Sequence, residues 1–265
     1  MSFQPVVPFS GYAGWTFLQR TRAAQQSAFD ASAQIQRDTA YFKEKIGGVK
    51  TAEDLVSDRR LLSVALGAYG LDQDINSKFF VKKVLEDGSF DGTDLANRLS
   101  DKRYLAMTKA FGFGDFPIPN TGMSDFGDSV VTAYRQRQFE IAIGEQNEDL
   151  RLATGFARDL GTILKSQSTA DGRWFAVMGN APVRRVIETA LGLPASFGRL
   201  DLDQQLSGFR EAAQRQFGDG EVAGLSDPVA QEKLIRNFLI RSEAQASAST
   251  GSGQIALTLL QSARR

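Results

Sequence analysis

The residues with the strongest claim to chemistry lie in the run DGSFDGTDLANR, from Asp87 to Arg98. Asp87, Ser89 and Asp91 hold the first, third and fifth places of a calcium loop, with Gly92 sixth, an order that lets alternate oxygens wrap a hard cation. The twelfth place calls for a bidentate carboxylate and holds Arg98, whose charge repels the ion, so a capped turn between helices is the better reading. DQDIN, from Asp72 to Asn76, opens in the same way but lacks both the glycine and the closing acid. Glu145 and Asp149 share a helix face, with Glu140 and Glu148 close by. Arg135, Arg137 and Arg151 also lie close in sequence, and a solvated ion-pair face accounts for the group better than acid–base chemistry does. Gly112 with Gly114, and Gly251 with Gly253, do not follow a strand in a βαβ unit, so dinucleotide binding is not supported. Trp15 and Trp174 could anchor a partner, but packing in a core or an interface is the preferred reading.

Residue absences narrow the chemistry further. The 265 residues include no Cys and no His, which removes thiolate nucleophiles, thiolate and imidazole metal ligands, and the one side chain that titrates near neutrality when unperturbed. No catalytic, cofactor-binding or metal-binding set is therefore assigned. Lys plus Arg and Asp plus Glu are both 31, interleaved along the chain, so no basic footprint for nucleic acid is present. The longest apolar stretch, Leu61 to Leu71, is far short of the roughly 20 residues a bilayer crossing needs, and no membrane insertion is expected. The N-terminal run has its basic residues after the apolar part, contrary to a Sec-type signal peptide.

The elements that must position these residues are helices. Apolar and small residues recur at about a 3.6-residue period, and no sustained alternation of the strand type occurs. One long N-terminal helix is expected from Gln19 to Ile46, with Ala24, Ala28, Ala31, Ile35, Phe42 and Ile46 on one stripe. Thr51 and Ser57 are candidate N-caps, the latter opening a helix to Tyr69 that Gly70 closes. Further helices are expected over 76–86, 93–99, 100–111, 129–146 and 148–167, then from Pro182 to Leu191, over 203–217, and from Asp227–Pro228 to Glu243. Pro117 and Pro119 break the pattern in the main internal connection, 112–128. The fold class is all-α, a multi-helix bundle-like globular domain. It divides into an extension over 1–18, a helical domain over 19–245 with a subdivision near 112–128 left open, and a flexible tail over 246–265.

A degenerate repeat is superimposed on this helicity. SDRRLLSVALGAYGL from Ser57 and SDKRYLAMTKAFGF from Ser100 share an Asp near the helix start, a basic pair, and a small–aromatic–Gly–apolar ending. PVRRVIETALGLP from Pro182 repeats the basic pair and the glycine ending, and LSDPVAQEKLIRNFL from Leu225 repeats the opening. The expected structural residues are Asp58 and Asp101 near the helix starts, the first-turn Pro228, and the helix-ending Gly70, Gly112 and Gly192, each glycine free to take a positive φ.

The runs SDRRLLSVALGAYGLDQD, FDGTDLANRLSDKRYLAMTKAFGF, RQRQFEIAIGEQNEDLRLA, LDLDQQL and DPVAQEKLIRNFLIR occur in order between Thr51 and Arg241. Together they resemble the blocks of domain of unknown function 1217, a mostly alphaproteobacterial family often encoded among flagellar genes. The resemblance implies a helical, flagellum-associated protein and carries no catalytic residues. Three functions stay open. The first is a non-enzymatic flagellar structural or assembly accessory, cytoplasmic or exported through the flagellar secretion system. The others are a helical adaptor or chaperone unrelated to motility, and an enzyme using Asp, Glu or Lys. Partners are expected to be proteins, flagellar components among them, and homo-oligomerisation is open. Two terminal surfaces are offered for this: Ala24, Ala28, Ala31 and Ile35, which permit close helix approach, and Ile255, Leu257, Leu259 and Leu260.

Overall fold

A computed structural model describes the backbone of residues 3–262 and the side chains of residues 3–248. The described residues form thirteen α-helices joined by short turns, with no strand among them. They divide into two compact units, split between Ile143 and Gly144, with residues 7–20 assigned to the second. The 112–128 connection lies inside the first unit.

The expected single helix over 19–46 is two helices, α1 (Gly11–Asp30) and α2 (Ala33–Lys45). Between them Ser32 is extended (φ −63°, ψ 142°), and the Gln36 side chain donates to the freed Asp30 carbonyl at 2.7 Å. The physical reason lies in the phase of the buried residues. Gln25 and Phe29 are buried on α1, while Ile35, Thr39 and Phe42 are buried on α2. Six residues of continuous helix from Phe29 to Ile35 would rotate the chain by about 600°, leaving the two side chains roughly 120° apart. The break brings the second stripe back to the core. Ala24, Ala28 and Ala31 are in phase with Ile35 only on an unbroken helix, and they are exposed.

In the first unit α3 (Ala52–Ser57) and α4 (Arg59–Tyr69) follow. Ser57 ends α3, and the N-cap of α4 is Asp58, which accepts from the N–H groups of Arg60 (2.9 Å) and Leu61 (3.1 Å). A carboxylate there satisfies orphan first-turn donors. α4 is the central helix: Leu62, Ala65 and Leu66 are fully buried, and it packs against α2, α3 and α7 (Lys102–Phe111). Gly67 stands in its last turn, where the Tyr134 ring of α8 (Phe126–Gly144) comes within 2.8 Å of where a Cβ would be. α5 (Lys78–Asp87) and α6 (Leu95–Arg98) complete this unit.

The second unit contains α9 (Glu148–Ser166), α10 (Ala170–Gly179), α11 (Ala181–Leu191), α12 (Leu202–Phe217) and α13 (Pro228–Ser262). Here α11 is central, packing against α9, α10, α12 and α13 with Ile187 and Ala190 fully buried. Trp174 is buried, stacks on Phe209 at 5.2 Å, and donates its indole N–H to the Gly220 carbonyl at 3.1 Å. Trp15 is buried too, its indole nitrogen without a hydrogen-bond partner. The tail expected to be flexible from residue 246 continues the α13 backbone helix to Ser262. A helix nucleated at the Asp227–Pro228 cap gains a hydrogen bond per added residue, and alanines favour that extension. Ile255, Leu257, Leu259 and Leu260 lie outside the residues whose side chains are described.

The helix-ending glycines fall into two kinds. Gly70 (φ 72°) and Gly192 (φ 69°) each close with a paired bond. Leu71 N–H reaches Leu66 O at 2.9 Å and Gly70 N–H reaches Gly67 O at 3.2 Å, while Leu193 N–H reaches Glu188 O and Gly192 N–H reaches Thr189 O, both at 3.0 Å. That is the double closure of a Schellman turn, and the Leu71 side chain is buried beneath it. Gly112 (φ 70°) closes instead with one bond, its N–H to Thr108 O at 2.8 Å, and its own carbonyl then accepts from Phe116 N–H at 3.1 Å. The chain therefore turns again at once after α7.

Candidate functional site

The calcium-like run folds as a capped turn whose oxygens serve its own backbone. Asp87 Oδ2 accepts from Leu95 N–H at 2.6 Å and Asp94 Oδ2 from Asp91 N–H at 2.8 Å. Asp91 Oδ1 accepts from both the N–H and the hydroxyl of Thr93, bonds that hold its carboxyl below the usual range. Asn97 bridges Ser89 O and Asp91 O. Among the described residues no three His, Cys, Asp or Glu side chains are grouped to hold a metal ion.

This turn is clamped to the loop that follows α7. Ser89, which is buried, donates its N–H to Asp115 Oδ1 at 2.6 Å and its hydroxyl to Asp115 Oδ2 at 2.8 Å. The backbones touch at paired glycines: a Cβ on Gly114 would lie 2.4 Å from Glu86 O and 2.5 Å from Gly88 N. Gly88 itself has φ 88°, a conformation side chains resist. The clamp brings together two residues that the sequence holds 26 positions apart. Phe90 and Phe116 meet edge to face, ring centroids 5.3 Å apart at 86°. Gly112 takes part as well, because Phe116 Cδ2 lies 2.7 Å from where its Cβ would be.

The pair faces water. Phe90 is 73% exposed and Phe116 42%, and in the same loop Ile118 is 81% and Met123 57% exposed. A monomer gains nothing from holding large apolar groups outside its core, and a grouped set of them on a rigid support is what a docking surface requires. Aromatic rings suit the task because they offer much contact area with few rotatable bonds to freeze. A depression elsewhere in the first unit is about 220 Å³ and is lined by Arg59, Ser63, Leu66, Asp72 and Ile75. Asp72 there already accepts from Gln138 at 2.7 Å.

The remaining sequence candidates are placed as follows. Asp101 caps α7 through Arg103 N–H, and Pro228 is the first residue of α13, after Asp227 has accepted from Val229 N–H and Ala230 N–H. Ile35 is 5% exposed and belongs to the core of the first unit, so it cannot serve a partner as the stripe reading required. Of the arginines named for the solvated face around Glu145 and Asp149, Arg151 forms an ion pair there, with Glu148 at 2.5 Å, and the other two do not. Arg135 donates to Thr39 and Arg137 to the Ala68 carbonyl within the first unit, whereas Asp149 binds Arg185 at 2.9 Å and Ser242. Phe90, Phe116 and Asp115 carry no expectation from the sequence, and Ser89 entered only as the third place of a calcium loop. Their signal is present nonetheless: Gly88-Ser89-Phe90 and Gly114-Asp115-Phe116 repeat one Gly–polar–Phe pattern, in loops rather than helices.

No helix among the described residues is long and apolar enough to cross a membrane. Among curated proteins none matches the chain. The fold is similar to that of the crystal structure of protein AGR_C_984 from Agrobacterium tumefaciens, with a TM-score of 0.72 and 26% identity, covering 91% of this chain and 99% of that one. A family model described as "Protein of unknown function (DUF1217)" matches residues 68–234, a span that includes α5 through α12 and both loops of the aromatic clamp. The chain belongs to that family.

Proposed function

We propose that the chain is a non-enzymatic accessory protein of the bacterial flagellum that works through protein–protein contacts, with the Phe90–Phe116 clamp as its docking surface. The single observation behind the contact role is that clamp: two exposed rings fixed edge to face by a buried serine, an aspartate and two glycines. Such a pre-ordered apolar surface lowers the ordering cost of binding. The flagellar setting rests on the gene neighbourhood common in the family, which guides context and not mechanism.

The test replaces Phe90 with a photo-crosslinking phenylalanine analogue in motile cells, with the same analogue at Phe79, exposed but outside the clamp loops, as control. The proposal expects an adduct at Phe90 and not at Phe79, containing a flagellar component by mass spectrometry. Fractionation into cytosol and detached filaments then separates a cytoplasmic helper from an exported subunit. An adduct with a protein unrelated to motility would leave the docking surface standing and remove the flagellar assignment. No adduct above the control would remove both.

A further inference from the structure

The clamp also carries information about what it binds, given the reading above that it is a docking surface. We infer that its partner is a protein segment both apolar and basic, with large apolar side chains set among Lys or Arg residues. The segments 86–95, from the last two residues of α5 to the first of α6, and 112–125 contain Glu86, Asp87, Asp91, Asp94, Asp115 and Asp125, and neither contains a Lys or Arg. In a chain whose charges balance, this is a pronounced local excess of one sign.

Little of that excess is neutralised by neighbours. Lys83 stands 3.7 Å from Asp87. Lys82 is 3.7 Å from Glu86 but closer, at 2.5 Å, to Glu53. Asp91, Asp94 and Asp115 bind N–H and hydroxyl donors, which satisfy the oxygens without cancelling the charge. The exposed rings add to the effect, because the face of a phenylalanine ring attracts a guanidinium or ammonium group. A negative field around an apolar centre repels anionic lipid headgroups and nucleic acid phosphates, and steers a cationic segment in. Apolar anchors then supply the contact energy while rim charges set partner choice and arrival rate.

The experiment measures fluorescence anisotropy of the full chain with three labelled synthetic helical peptides of equal length, one of Lys and Leu, one of Glu and Leu, and one of Lys and Ser. Binding of the Lys/Leu peptide alone is expected, weakening as salt is raised. The triple variant E86Q/D91N/D125N should weaken it about tenfold at low salt and hardly at all at high salt. The variant F90S/F116S should abolish it at both. If that variant melts early, F90S alone, at the more exposed ring, gives the same reading. Equal binding of the Glu/Leu peptide would overturn the basic partner while leaving the docking surface intact. Equal binding of the Lys/Ser peptide would show charge acting without the rings and overturn the inference. Binding of the Lys/Leu peptide unchanged in F90S/F116S would overturn both the inference and the docking surface.

Discussion

In the first unit the C-terminus of the central helix α4 is met by two guanidinium groups. Arg137 donates to Ala68 O at 3.0 Å and Arg103 to Gly70 O. In the second unit the C-terminus of the central helix α11 is met by an amide, Gln216 donating to Leu191 O at 2.7 Å. Arg241 lies against Gly192, its Nη1 2.1 Å from where a Cβ would be, yet that nitrogen is buried without a hydrogen-bond partner. The two helices share a basic pair at the start, a left-handed glycine at the end and a Schellman closure. They differ in their caps, Asp58 against Asn180, and in what neutralises the end of the helix dipole. The shared features are local and travel with the sequence; the differing ones come from other elements. A repeated capped helix can thus be read as a repeat without its surroundings being repeated.

The strongest way to break the comparison is at the shared glycines. Gly70→Ala and Gly192→Ala should each cost about 2 kcal/mol in urea unfolding, since both sit near φ 70° where a Cβ is strained. If one of the two is neutral, the two closures are not equivalent.

The dissimilar cations come next. Arg137→Met leaves the Ala68 carbonyl without its guanidinium donor and should cost about 1 kcal/mol. Arg241→Met removes a buried nitrogen that has no partner and should stay within about 0.5 kcal/mol of the unmodified chain. Equal losses would contradict the contrast drawn between the two helix ends.

The smallest effect is the pH dependence of the caps. Burial by itself raises the Asp58 carboxyl, but the Tyr41 hydroxyl and the N–H groups of Leu61 and Arg60 outweigh it, and the net shift is downward. A depressed folded value means the stabilisation is full above the unfolded carboxyl value of about 3.9 and is lost as pH falls through the folded value. Asn180 does not titrate. Acid should therefore loosen α4 before α11 in hydrogen-exchange measurements, and Asp58→Asn, which keeps an acceptor at the cap, should remove the difference attributable to that cap.

The legible part of the fold was the part written locally. Caps, glycine endings and a first-turn proline depend on one or two turns of chain, so α7, α9 and α11 lie within a few residues of where periodicity puts them. The break between α1 and α2 was not legible, because Ala24, Ala28 and Ala31 are in phase with Ile35 and alanine fits a buried or an exposed face equally well. α10 was missed among its neighbours. The clamp was hidden for another reason: Phe90 and Phe116 lie in turns, where hydrophobic periodicity has nothing to report. Their pairing depends on Ser89 and Asp115 finding each other across the whole of α6 and α7.

The central claim is that the molecule works through this exposed aromatic pair, and the most direct measurement is swimming in soft agar by cells whose own copy of the gene encodes F90S/F116S, alongside the melting temperature of the purified variant. Both rings are solvent-exposed, so the melting temperature should stay within about 2 °C of the unmodified chain while swimming is reduced. Undiminished swimming at normal protein level would contradict the account, as would a large fall in melting temperature, which would make the pair part of the core.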